Sequence, residues 1–354
     1  MPQPPQPRSL DRLTSLRGIA ALAVFACHIW QYRIIGDFGI ARRASCGVTF
    51  FFMLSGFVLV WASPLHDRAL SFYRRRIARV YPSHLVTLGI AAIVPVVAVH
   101  RGLVTAAISA TLTQAWFSYP GYLYGMNGVS WSLSCEAFFY LCLPLALLLL
   151  RGASRRARWT LALAWWGVAA ALLVASALSW LSLPVTDSNP LIQIGVFLLG
   201  AVAGLEMMDG WRPRWSLTWS FALLVGLYVG ATLTGLSVAV DYALFTLPFL
   251  LIIVASAIRD LDGRRSWLTH RWLIYAGQLS FCFYLVHELV IVNFEHELHL
   301  RGLGMVTLCL AISIVAAQLL HHGVELPFQR ILRGAQQRPP QGSEEDPMLA
   351  PATS

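Results

Sequence analysis

Runs of roughly 18 to 22 mostly apolar residues, divided by short polar stretches, recur ten times along this 354-residue chain. They fall at about 13–32, 46–62, 80–99, 129–150, 159–183, 190–208, 215–234, 239–258, 273–294 and 302–324. Each is long enough to cross a hydrocarbon layer about 30 Å thick as a single helix. In lipid, a helix is the form that satisfies its own backbone amides. The pattern therefore predicts an all-α fold, a polytopic membrane bundle of about ten transmembrane helices spanning residues 13–333. Residues 1–12, rich in Pro and Gln, and residues 334–354, with Glu344-Glu345-Asp346, are predicted to be disordered ends of the chain. An eleventh span over 103–117 is rejected, because that stretch is short and carries Thr, Ser and Gln.

Composition agrees with the pattern. Hydrophobic residues make up 57% of the chain and charged residues 12%, against about 25% charged in an ordinary soluble domain. The chain has no lysine, so all 26 basic residues are arginines. With the amino terminus in the cytoplasm, 21 of them fall on the cytoplasmic side, and only Arg33, Arg42, Arg43, Arg101 and Arg301 fall outside. Both termini are thus expected to be cytoplasmic. The net charge of +9 then reflects topology, with anionic lipid headgroups and not nucleic acid as the partner of the basic loops. Arginine in place of lysine, with abundant Ala, Leu and Gly, points to a GC-rich bacterial genome, hence a bacterial inner membrane. The first apolar run is too long, and too polar at Arg17 and His28, for a cleavable signal peptide. Six cysteines without paired spacing are expected to be small apolar fillers.

Ionisable side chains inside spans are costly and mark function by default. They are few here: Arg17, His28, His84, Glu136, Glu206, Asp241, His287 with Glu288, and His321 with His322. Arg17 and His28 are eleven residues apart, which returns a helix to within about 20° of its starting direction and separates them by roughly 16 Å. Both therefore leave one face of one helix. Given the topology, His28, Glu136 and His287 are expected at a common depth. A neutral imidazole beside a carboxylate can take a proton from a hydroxyl, so His28 with Glu136 predicts activation of an alcohol nucleophile. His84 and His287, taken singly, read first as polar groups bonded across helices.

At the cytoplasmic edge, Arg76 and Arg79 fall on neighbouring helical positions, whereas Arg74 and Arg75 point elsewhere and are equally well explained by topology. With Arg17 they are expected to form a fork of guanidiniums suited to phosphate groups. Glu325 is the expected ion-pair partner of Arg17.

Six pieces, in order, resemble the acyltransferase-3 family over nearly the whole chain. They are Arg17-x10-His28; Phe50-Phe-Phe-Met-Leu-Ser-Gly-Phe57; Arg76-x-x-Arg79 with Tyr81-Pro82; Trp131-Ser-Leu-Ser-Cys-Glu136-x3-Tyr140; Ser280-x3-Tyr284-Leu-Val-His287; and Glu325-x-Pro327. The resemblance implies transfer of an acyl group, often acetyl, from acyl-CoA to a hydroxyl of a carbohydrate or of a lipophilic product such as a macrolide. It makes His28 the expected catalytic residue, with Glu136 orienting it. Arg17, Arg76 and Arg79 become the expected holders of the coenzyme's phosphates. Ser55, Tyr140, Tyr284 and His287 are expected to bind or orient substrate. Direct transfer and an acyl-histidine intermediate both fit these residues. Where the family commonly has Val, Cys135 stands beside Glu136.

Two further features bear on function. Trp116, Phe117, Tyr119, Tyr122 and Tyr124 are expected to anchor the outer surface, or else to form a platform for the acceptor. Glu295-His-Glu297-Leu-His299 lacks a recognised ligand spacing, so no metal is expected. A proton or small-solute transporter is the alternative reading, since buried Arg, His and Glu also suit a relay.

Overall fold

A computed structural model describes residues 10–36, 39–62, 69–94, 102–180, 187–298 and 301–334. The expected disordered termini lie almost wholly outside these residues, as does His299 of the acidic-histidine stretch. The protein is all-α, and no strand occurs among the described residues. In chain order the helices are α1 Asp11–Gln31, α2 Gly47–Trp61, α3 Ala69–Ile93, α4 Leu103–Ala110, α5 Pro120–Leu123, α6 Trp131–Gly152, α7 Arg155–Ala177, α8 Pro190–Met208, α9 Leu217–Leu233, α10 Asp241–Leu261, α11 Arg271–Leu298, α12 Leu303–Leu320 and α13 Leu326–Gly334.

Eight helical stretches among the described residues are long and apolar enough to cross a membrane. α3, with its arginines, and α9, of 17 residues, occupy the third and seventh expected spans. α3 starts eleven residues before the expected 80, because Arg74, Arg75, Arg76 and Arg79 are on the helix itself. Arginine is a good helix former, and its charge breaks a hydropathy run without breaking a helix. The rejected eleventh span contains the eight-residue α4, too short to cross, and a single 3-10 turn at Gln114–Trp116.

Glycines set the two closest helix crossings. α2 packs along α8, where a methyl on Gly56 would strike the Phe197 carbonyl and one on Gly200 the Met53 carbonyl. Gly200 and Gly204 lie one turn apart, the small-x3-small pattern that brings membrane helices together. α1 packs along α11 in the same direction, and a methyl on Gly277 would strike the Thr14 carbonyl. The core between these helices is built from fully buried residues such as Phe52, Met53, Phe57, Phe139, Phe197 and Phe245.

Several buried charges are paired. Arg12 binds Asp260 at 2.6 Å, tying α1 to α10. Arg43 pairs with Asp241 and donates to the carbonyls of Ala231 and Leu236. Arg158 bonds Glu206 at 3.2 Å and Asp209 at 2.5 Å. Asp241 and Glu206 thus hold the bundle together. His84 bonds the Ser109 carbonyl at 2.9 Å, as an interhelical group. All six cysteines are free.

The segment before α6 is only partly laid over the surface. Residues 121–130 turn back into the bundle: the Asn127 amide donates to the Leu285 carbonyl at 3.0 Å, and the Gln114 amide ties the earlier part of the segment to the Ser130 carbonyl at 2.8 Å. Gly128 lies directly against the Glu288 carboxylate. The start of α6 is therefore sunk into the protein.

Candidate functional site

Three arginines meet where α1, α3 and α6 converge. A cavity of about 550 Å³ is walled by Arg17, Ser55, Arg76, Arg79, Glu136 and Tyr140, with apolar residues of α2 and α11. Arg17 has no hydrogen bond or ion pair among the described residues, although it lines the chamber. Arg76 lies over the Phe72 ring at 5.7 Å, and its Nε is buried without a partner. A buried donor such as Arg76 Nε in a native fold calls for a ligand, water or ion. Arg74 is exposed, as expected of a purely topological charge.

Arg79 has an anionic partner. Its Nε lies 3.9 Å from Glu325 Oε1. Glu325, expected beside Arg17, sits in a single π turn, His321–Glu325, that joins α12 to α13. Its oxygens also accept from Gln329 at 3.0 Å, from the Cys282 thiol at 3.2 Å and from His321 at 2.6 Å. Cys282, His321 and Glu325 lie close enough together to hold a metal ion. Glu325 is already occupied by donors, however, and the adjacent Arg79 cation opposes a second positive charge.

A narrower cavity of about 420 Å³ shares Arg17, Phe51, Glu136 and Phe281 with the first and continues to Ser132, Ser280 and Tyr284. Tyr284 closes it. Its hydroxyl donates to the Val129 carbonyl at 3.1 Å and accepts from Ser132 at 2.9 Å. The Tyr284 ring lies 5.7 Å from that of His287.

Beyond Tyr284 the two histidines meet. His287 Nε2 is 3.0 Å from His28 Nδ1. Each ring also directs its Nδ1 to the carbonyl one helical turn back, His28 to Val24 and His287 to Phe283, both at 3.1 Å. The other nitrogen of His28, Nε2, faces Glu288 Oε1 at 3.8 Å. Tyr32 donates to that same oxygen at 2.8 Å.

The structure separates His28 from Glu136, correcting the expected pair. Glu136 accepts from Tyr140 at 2.7 Å inside the arginine chamber. A common depth for His28 and Glu136 requires Trp131, near the start of the fourth apolar run, to stand at the outer membrane edge. Because the preceding loop is folded inward, Gly128 is already level with Glu288. Glu136, eight residues on, is roughly 12 Å nearer the arginine end. Ser55 is displaced for a similar reason. α2 runs against α1, with Gly47 beside Ala20 and Val24, so Ser55 lies roughly 12 Å further toward the arginines and not beside His28. Tyr140 shares that chamber, while Tyr284 and His287 stand at the junction and at the histidine pair.

Sequence reading did not single out Glu288 and Tyr32 as site residues. Their signals were present: Glu288 adjoins His287, and Tyr32 is four residues after His28, on the same helical face.

This is a multi-helix membrane protein whose cavities have an arginine cluster at one end and, beyond Tyr284, a pair of contacting imidazoles. Comparison with known proteins gives that arrangement its class, for an acyltransferase domain model matches residues 10–322. The chain belongs to the acyltransferase-3 family of membrane acyltransferases. It is 35% identical over 395 aligned residues to acyltransferase MdmB of Streptomyces mycarofaciens, covering 99% of this chain and 100% of that one. Nodulation protein 10 of Rhizobium leguminosarum bv. viciae is 26% identical over 78% of this chain and 81% of its own. No solved structure matches.

Proposed function

We propose that this membrane acyltransferase moves an acyl group, acetyl by preference, from acyl-CoA to a hydroxyl of a carbohydrate or of a lipophilic product such as a macrolide. The observation that carries the reading is the chamber of Arg17, Arg76 and Arg79, in which Arg17 makes no hydrogen bond or ion pair with the described residues, Arg76 Nε is buried without a partner, and a cavity runs on to Tyr284 beside the histidine pair. Guanidiniums bind phosphate through paired charge-assisted hydrogen bonds. The phosphates of the donor fit there, with Glu136 and Glu325 balancing the arginines when the chamber is empty. From Arg17, the thioester arm would follow the face of α1 toward His28, roughly 16 Å away. The enzyme sits in a bacterial inner membrane with both termini cytoplasmic, so the donor enters from the cytoplasm.

In the transfer, the acceptor O–H gives its proton to a nitrogen of His28. The freed oxygen forms a bond to the thioester carbonyl, the carbon–sulfur bond breaks, and the departing thiolate takes the proton back from the imidazolium. His28 is thus base and then acid. Tyr284 stands between the donor cavity and His28, so its ring must yield as the thioester passes.

His28→Ala should lower acyl transfer by about 10²- to 10⁴-fold, the usual worth of a general base, with membrane insertion unchanged. Release of coenzyme A from acetyl-CoA by purified protein, with an acceptor panel, measures this. A fully active variant would remove the proposal. Solute uptake without donor consumption would favour a transporter.

A further inference from the structure

α11 presents two consecutive side chains to the two nitrogens of one imidazole, His287 to Nδ1 of His28 and Glu288 to Nε2. With both imidazoles neutral, the hydrogen bonds leave one consistent arrangement of protons. A backbone carbonyl only accepts, so the His287 nitrogen facing Phe283 O carries a hydrogen. A neutral His287 then offers a bare Nε2 to His28. His28 Nδ1, which faces that lone pair and the Val24 carbonyl, must be the donor. His28 Nε2 is left bare. A proton added to it meets the Glu288 carboxylate, which Tyr32 holds from the far side. A proton added to His287 Nε2 would instead oppose the hydrogen on His28 Nδ1.

Resting on the acyl-transfer reading above, we infer that His287 is a positioning residue that fixes His28 as its Nδ1–H tautomer, and that Glu288, held by Tyr32, balances the positive charge formed at His28 Nε2 during transfer. The second-layer bond orients the ring and decides which nitrogen does the chemistry. Val24 alone is a weak determinant, since its carbonyl already accepts the helical amide of His28. Glu288 is well placed to respond to charge: its side chain is 10% exposed, its Oε2 is buried without a partner, and Gly128 packs against the carboxylate. His28 is 15% exposed, which leaves its ring reachable. This arrangement gives the imidazolium a carboxylate partner that Glu136 cannot provide.

The full-length protein, labelled with [15N]histidine and purified in detergent, reports the protonation of each ring through correlations between ring carbon protons and nitrogens. His28→Gln identifies the His28 signals by their loss. In the wild type, His28 is expected with Nδ1 protonated and Nε2 bare. In His287→Ala the Nε2–H form of His28 should rise several-fold. Glu288→Gln, which keeps the shape and the Tyr32 bond, should lower kcat roughly 100-fold while the KM for acetyl-CoA holds within about twofold. A wild-type His28 in the Nε2–H form, or a tautomer balance unmoved by His287→Ala, overturns the positioning role. A Glu288→Gln enzyme that keeps its kcat overturns the charge-balancing role. If His28→Gln still transfers acyl groups at the wild-type rate, the catalytic reading fails while the tautomer measurement stands by itself.

Discussion

Arg17 and Glu136 show how far single residues can be read before the fold is known. The eleven-residue spacing of Arg17 and His28 was enough to place both on one helical face, because helical geometry is fixed by the chain itself. The partner of a buried side chain depends instead on how other helices are set in depth, and there Glu136 was misplaced beside His28. Its position among the arginines changes what its removal should do. Glu136→Gln is expected to lower the KM for acyl-CoA, because a carboxylate that repels the donor's phosphates is gone, and to leave kcat nearly unchanged. A large loss of kcat at constant KM would return Glu136 to the chemistry. Arg17→Ala should raise the KM for acyl-CoA about 10- to 100-fold, the worth of one hydrogen bond to a charged group. Lysine at this position should restore little of it, since a point charge cannot reproduce a planar fork. Donor titration of each variant measures both effects.

At the level of elements, each of the ten apolar runs falls on a helix of 15 or more residues among the described residues, while the irregular elements stayed hidden. The π turn at His321–Glu325 and the inward fold of residues 121–130 have no periodic signal. The inward fold is specified by polar groups: Gln114 and Ser130 bond carbonyls within the segment before α6, and Asn127 bonds the Leu285 carbonyl across the bundle. The exposed Trp116, Phe117, Tyr119 and Tyr124 belong to that same segment. The α1–α11 crossing is the element on which the histidine pair depends, and Gly277 sets its closeness. Gly277→Leu should push the helices apart, at a cost of about 1–3 kcal/mol from overpacking. It should also reduce acyl transfer by separating His28 from His287. Thermal unfolding in detergent and activity should fall together. A variant that loses stability but keeps full activity would show that the imidazole contact is not needed.

Across the whole molecule, buried ion pairs join parts of the chain that are far apart in sequence. Arg43 and Asp241 are the clearest pair, because the arginine also serves two carbonyls. Removing one partner leaves an unmatched buried charge, so Asp241→Ala should cost about 3–5 kcal/mol, whereas replacing both residues with apolar ones should be far milder. Yield of folded protein in detergent measures the difference. The sequence offered both residues, but nothing in their spacing linked them.

The contact between His28 and His287 joins residues 259 positions apart. During synthesis the first imidazole enters the membrane long before its companion is translated, so the nascent chain remains inert until the ninth long helix is inserted. A gene divided between Leu233 and Asp241 should yield two silent fragments. Transfer activity should return only when both are co-expressed and reassemble.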